Sequence, residues 1–146
     1  MTVMLASTGE SFLPAVIEGV VELAGENRPG VVVLSVARIW GTALGLPHPG
    51  LYPTKAELDA QRDLVEKAAR QLEERGFPVR TSVVRARNAG KAIARSAERA
   101  GCATIVIADP ERRRWDLLLR GDPPREIARR TGIRVHAVRV RAAPPS

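Results

Sequence analysis

Two stretches of this 146-residue chain combine residue types able to hold a phosphate or a nucleoside. The first, Ala6-Ser7-Thr8-Gly9-Glu10-Ser11, gathers hydroxyls around a glycine, so that backbone N–H groups could turn toward an anion. The second runs from Ala108-Asp109 through Glu111 to Gly121-Asp122 and contains Arg112, Arg113, Arg114 and Arg120. Arginine pairs with phosphate in bidentate fashion, although a run of nearby arginines more often makes a solvated face. A phosphate cradle also needs close backbone approach and no competing anion, and Glu111 brings both a side chain and a charge. Asp122 is suited to cap a helix beginning at Pro123, where it would occupy the amides a phosphate uses. Pro123 and Pro124 have no N–H to offer. The local anion site reads as already filled.

Other chemistries have less to draw on. Cys102 is the only cysteine, so it forms no internal disulfide and reads as a small buried apolar residue beside Gly101. His48 and His136 are the only histidines, and neither has a second ligand at metal spacing. An enzyme could use Ser7 to Ser11 as a pyrophosphate loop, but such loops want paired glycines and an Asp before the Ser, and only Gly9 and Ser11 fit. No histidine or paired carboxylate lies close in sequence to act as general base. A tight turn with Ser11 capping the next helix explains the same residues, and catalysis is not expected.

The elements that position these stretches follow from periodicity. Val3 to Ala6, Val31 to Val36 and Ala103 to Ala108 are nearly continuous apolar runs, the mark of strands buried on both faces. Val79 to Val84 and Ile133 to Val140 alternate instead and suit edge strands. Between them lie three helical patterns. Leu13, Val16, Ile17, Val20 and Ala24 form one, stopped by Asn27-Arg28-Pro29-Gly30. Leu58, Val65, Ala68, Ala69 and Leu72 form another, capped by Thr54 and closed by Gly76 and Pro78. Ala89, Ala92, Ile93, Ser96, Ala97 and Ala100 make a small-residue face after Asn88.

Alternating strands and helices call for a three-layer α/β/α sandwich around a parallel sheet. Placing the doubly apolar strands in the centre gives five strands in the order 3-2-1-4-5. The winding then reverses between strands one and four, and ligands bind outside the carboxyl ends of the strands at such a reversal. That locates the candidate site at Ser7 to Ser11 and Ala108 to Gly121. Arg38 to Pro53, with three prolines, three glycines and Trp40, reads as a long binding-type loop. Trp115, Leu118 and Leu119 read as docking a short helical segment onto the sheet.

Apolar residues make up 45% of the chain and charged ones 27%, which excludes wholesale disorder and fits one domain, 1–141, with a flexible tail at 142–146. Runs as short as Val31 to Leu34 cannot cross a bilayer. Met1 to Leu5 lacks the pattern of a secretory signal, so cytoplasm is the expected compartment. Residues 1 to 60 carry three basic and six acidic side chains against twenty and ten in the remainder, for a net charge of +7. The excess suggests an anionic partner or a general preference for arginine. Five scattered aromatics do not make a base-stacking platform. Ala128 and Gly132 have the spacing of a helix-turn-helix bend, but β-branched Ile133 to Val140 cannot be its recognition helix. Nucleic-acid binding is therefore not expected.

The turn Ala6-Ser7-Thr8-Gly9, the long second loop, and Leu117 to Asp122 leading through Arg125 to Arg130 into the last strand together resemble the universal stress proteins, over nearly the whole chain. The resemblance implies a related adenine-nucleotide fold and homodimers formed through the last strand, here Val135, His136, Val138 and Val140. Nucleotide-binding members carry an Asp in the first turn and a Gly-x2-Gly-x9-Gly-Ser/Thr motif. Laid on Gly121, these fall on Thr8 and on Ala108, Glu111, Gly121 and Asp122, so one glycine of three is kept. The candidate site is then a degraded nucleotide site: Ala6, Ser7, Thr8, Gly9, Ala37, Ala108, Asp109, Glu111, Gly121 and Asp122, with backbone contacts at Ala37 and Ala108 the least damaged. The expected function is regulatory and non-catalytic, with no cofactor and a protein partner of unknown identity. Binding of ATP or another adenine nucleotide as a switch is the alternative, and a basic nucleic-acid-binding protein the further one.

Overall fold

The structure is a computed structural model that describes residues 1–38, 54–110 and 122–140. Along the chain run β1 (Thr2–Ser7), α1 (Pro14–Ala24), β2 (Gly30–Arg38), α2 (Lys55–Glu74), β3 (Val79–Ala86), α3 (Ala89–Arg99), β4 (Thr104–Pro110), α4 (Pro123–Arg130) and β5 (Arg134–Val140). All neighbouring strands pair in parallel, in the order β3-β2-β1-β4-β5. The doubly apolar strands do occupy the middle, and the alternating ones are the edges. Residues 39–53, 111–121 and 141–146, which include most of the predicted long loop, the segment of Trp115, Leu118 and Leu119, and the tail, lie outside the described residues.

Because the side chains of a strand alternate between faces, each central strand feeds two cores. Val3, Leu5, Val31, Val33 and Val106 join α1 and α2 on one side. Met4, Ala6, Val32, Leu34, Ile105 and Ile107 join α3 and α4 on the other. Fully burying one such side chain is worth about 1.5–3 kcal/mol, so the two layers together hold the sheet. Cys102 is buried in the second core, and burial pushes its thiol pKa up against the opposing pull of the Arg80 charge. No helix among the described residues is long and apolar enough to cross a membrane.

Helix ends follow local chemistry, with corrections to the expected ones. Thr54 caps as predicted, accepting from the amide of Glu57 (3.1 Å), and Asn88, read as the start of the third helix, caps it by accepting from the amide of Lys91 (3.0 Å). Ser11 does not cap α1. The N-cap is Leu13, which makes no side-chain cap bond and is exposed rather than part of the buried face. Pro14 stands in the first turn, where it has no N–H to leave unsatisfied. The same helix ends at Ala24, earlier than Asn27, because Gly25 adopts a positive φ of 58°. Arg28 then lies over the ring of Phe77, 5.5 Å from its centroid. On α3 the buried face includes Gly90 and Ala94, because α4 packs against that flank. A Cβ on Gly90 would stand 3.1 Å from Glu126 Cγ.

At that crossing Asn88 works in two directions. Its Oδ1 caps α3, while its Nδ2 donates to Glu126 Oε1 at 2.9 Å, which also accepts from Arg130 Nη2 at 3.2 Å. These bonds, the one from Asn88 foremost, hold the Glu126 pKa below its ordinary 4.5 against a smaller opposing effect of burial. A group with a depressed folded-state pKa stabilises above its unfolded pKa and loses that contribution as pH falls through the folded value. Glu126→Gln should lower stability by about 0.5–1.5 kcal/mol at neutral pH. It should also flatten the acid-side decline in the denaturation midpoint, whereas parallel pH profiles for the two proteins would refute this role.

Gly19 of α1 faces β5, where an added Cβ would stand 2.7 Å from Val138 Cγ2. Helix propensity favours alanine over glycine by about 1 kcal/mol. Overpacking against a stiff β-branched side chain costs about 1–3 kcal/mol. Gly19→Ala is expected to destabilise in urea titrations, and a gain in stability would show that α1 and β5 can separate freely.

Candidate functional site

The winding reverses between β1 and β4, and Ala6 sits there between Leu34 and Ile107 in register. Beyond Ala6 the chain turns through residues that satisfy one another. Ser7, 5% exposed, donates from Oγ to the carbonyl of Glu10 at 2.6 Å and accepts from the amide of Gly9 at 3.2 Å. Thr8 donates to Glu10 Oε1 at 2.9 Å. Gly9 has a φ of 115°, and a Cβ there would approach the carbonyl of Val36 to 3.3 Å. Only glycine holds that conformation without strain.

Gln61 of α2 braces this turn from outside it. Its Nε2 donates to the carbonyl of Gly9 at 3.0 Å, and its Oε1 accepts from Ser35 Oγ. Ser35 is completely buried in β2, so without Gln61 its hydroxyl would lack the partner that burial demands. Gln61 escaped the sequence reading, yet it left a signal. It stands three residues after Leu58 and four before Val65, where the apolar stripe of α2 calls for another apolar side chain.

Across the reversal, Asp122 caps α4 as predicted, with Oδ1 accepting from the amide of Arg125 at 3.3 Å. Pro123 and Pro124 take the first helical positions. Ala6, Ser7, Thr8, Ala108 and Pro123 come together around a cleft of about 10 Å³, room for about one water molecule. Asp109 follows at the end of β4, in register with Arg139, and Ala37 is buried at the end of β2 in register with Arg85. Glu111 and Gly121 lie outside the described residues, as do Arg112, Arg113, Arg114 and Arg120. A second hollow of about 190 Å³ opens beside Pro123, lined also by Arg38, Arg87, Asn88 and Glu126. Sequence reading missed Arg38 and Arg87 because one closes a strand and the other precedes a cap, with no spacing that links them.

At the reversal the Gly9 amide and carbonyl are therefore engaged by Ser7 and Gln61, and the Arg125 amide of α4 by Asp122. Glu10, Asp109 and Asp122 bring carboxylates, which repel rather than hold a phosphate. Among the described residues no group of three or more His, Cys, Asp or Glu side chains converges as a metal would require.

The chain matches the universal stress protein family over residues 1–139. Among solved structures it is similar to a universal stress protein from Archaeoglobus fulgidus, at 15% identity over 94% of this chain and 98% of that one, with a TM-score of 0.70. The universal stress protein from Archaeoglobus fulgidus in complex with dAMP gives 14% identity, coverage of 94% and 97%, and a TM-score of 0.67. A family protein from Arabidopsis thaliana with AMP bound gives 14%, 98% and 93%, and 0.60. No curated protein matches the chain in sequence. At these identities the structural likeness is one of fold, and the match over residues 1–139 carries the assignment. The chain belongs to the universal stress protein family.

Proposed function

We propose that this chain is a cytoplasmic, non-catalytic regulatory member of its family, and that it does not bind ATP in the manner of the family's nucleotide binders. One observation carries the reading: the turn at the winding reversal is closed by its own hydrogen bonds, Gly9 giving its amide to Ser7 and its carbonyl to Gln61. A triphosphate would have to displace these bonds and the Asp122 cap, then approach Glu10, Asp109 and Asp122. Losing a charge-assisted cap bond costs about 1 kcal/mol, and each unpaired buried group about 1–3 kcal/mol more.

The output of such a protein passes through a partner. A second copy joining along the edge of β5 is the assembly we favour. Val138 packs on Gly19, Val140 lies in the first core and Val135 packs on the second. That leaves the backbone edge, His136 and the flanking Arg134 and Arg139 to meet the copy. An exposed strand edge is a template for such pairing.

A second reading is favoured by the relatives with dAMP, cAMP and AMP bound. A monophosphate asks less of the anion site than ATP does, and backbone contacts at Ala37 and Ala108 would suffice for the base. Calorimetric titration with Mg-ATP and with AMP, at low and moderate salt, separates the readings. The proposal expects no saturable heat with either ligand. Saturable one-to-one binding of AMP alone would establish the second reading. Binding that prefers ATP and survives salt would overturn the proposal.

A further inference from the structure

Away from the winding reversal, a groove of about 390 Å³ opens between α3 and the β2–β3 side of the sheet. Its volume lies within the range of about 300–1,000 Å³ common to small-molecule sites. Val84 and the exposed edge of Val32 contribute an apolar floor above the buried Leu34, since β3 lies at the sheet edge and α3 leaves part of this face uncovered. The register pairs Val32 with Arg80 and Val36 with Val84, so Arg80 projects on the same face as the floor. From α3, Ser96 and Arg99 complete the opposite wall. The ion pairs among the described residues engage Arg62, Arg75 and Arg130 but neither Arg80 nor Arg99. No carboxylate is among the described residues that line the groove.

Two guanidinium groups at the rim of an apolar floor complement an anionic head on an apolar body. We propose that this groove binds a small amphipathic carboxylate, its head between Arg80 and Arg99 and its apolar body along Val84 and the exposed edge of Val32. A medium-chain fatty acid has this chemistry. The inference is independent of what the winding-reversal site binds.

Octanoate is a direct probe, titrated below its micellar concentration into the full chain and followed by amide chemical shifts, with 1-octanol as the uncharged control. Expected are saturable one-site shifts centred on Val32, Val84 and Ser96, and binding of octanol at least about tenfold weaker. Arg80→Gln and Arg99→Gln each weaken octanoate by about tenfold or more, and both residues are exposed enough that the variants keep the fold. Absence of saturation, equal affinity for octanol and octanoate, or shifts centred on the Ser7 to Glu10 turn would each overturn the proposal.

Discussion

Residues 3–6, 31–34 and 105–107 point alternately to opposite faces of the sheet and are apolar on both, so each central strand needs a helical layer above and below. Everything else in the structure follows from meeting that demand twice. The parallel sheet follows, because only crossover helices can cover both faces of consecutive strands. The reversal of winding follows too: α1 and α2 cover one face as the chain moves from β1 to β3. The chain must then return to the far side of β1 with α3 and α4 on the other face. The edges are left to β3 and β5, whose alternating polarity lets one side meet solvent.

In open parallel sheets of this kind the reversal of winding is where ligands bind. Here the exit from β1 is fixed by a local ring of bonds and by one long-range brace. Ser7 closes the turn on itself, Gly9 supplies a conformation that other residues resist, and Gln61 joins the turn to the buried hydroxyl of Ser35. Asp122 does for α4 what a bound anion does at an uncapped helix. The polar groups of Ser7, Gly9 and Asp122 are thus bonded within the protein.

Strand order, sheet polarity, the caps at Thr54 and Asp122 and the helix start at Asn88 were legible because each depends on local periodicity or on a residue type with a single strong local role. The start of α1 was not, since Ser11 and Pro14 offer competing signals and only the path of the turn decides between them. Gln61 was hidden for another reason: its partners, Gly9 and Ser35, are 52 and 26 residues away in sequence. A polar side chain in an apolar stripe announces a buried partner without naming it. The close approach of Gly19 to Val138, the pairing of Asn88 with Glu126, and the shared hollow of Arg38 and Arg87 are likewise products of tertiary contact, which spacing along the chain does not encode.

The central claim is that hydrogen bonds within the protein already occupy the Gly9 and Arg125 amides at the winding reversal. It is tested most directly by following the backbone amide resonances of Gly9 and Arg125 during titration with Mg-ATP. The account predicts that both stay in place while ATP rises through millimolar concentration. Saturable movement of both amides together would contradict it, since it would show a ligand taking over the bonds now made by Ser7 and Asp122.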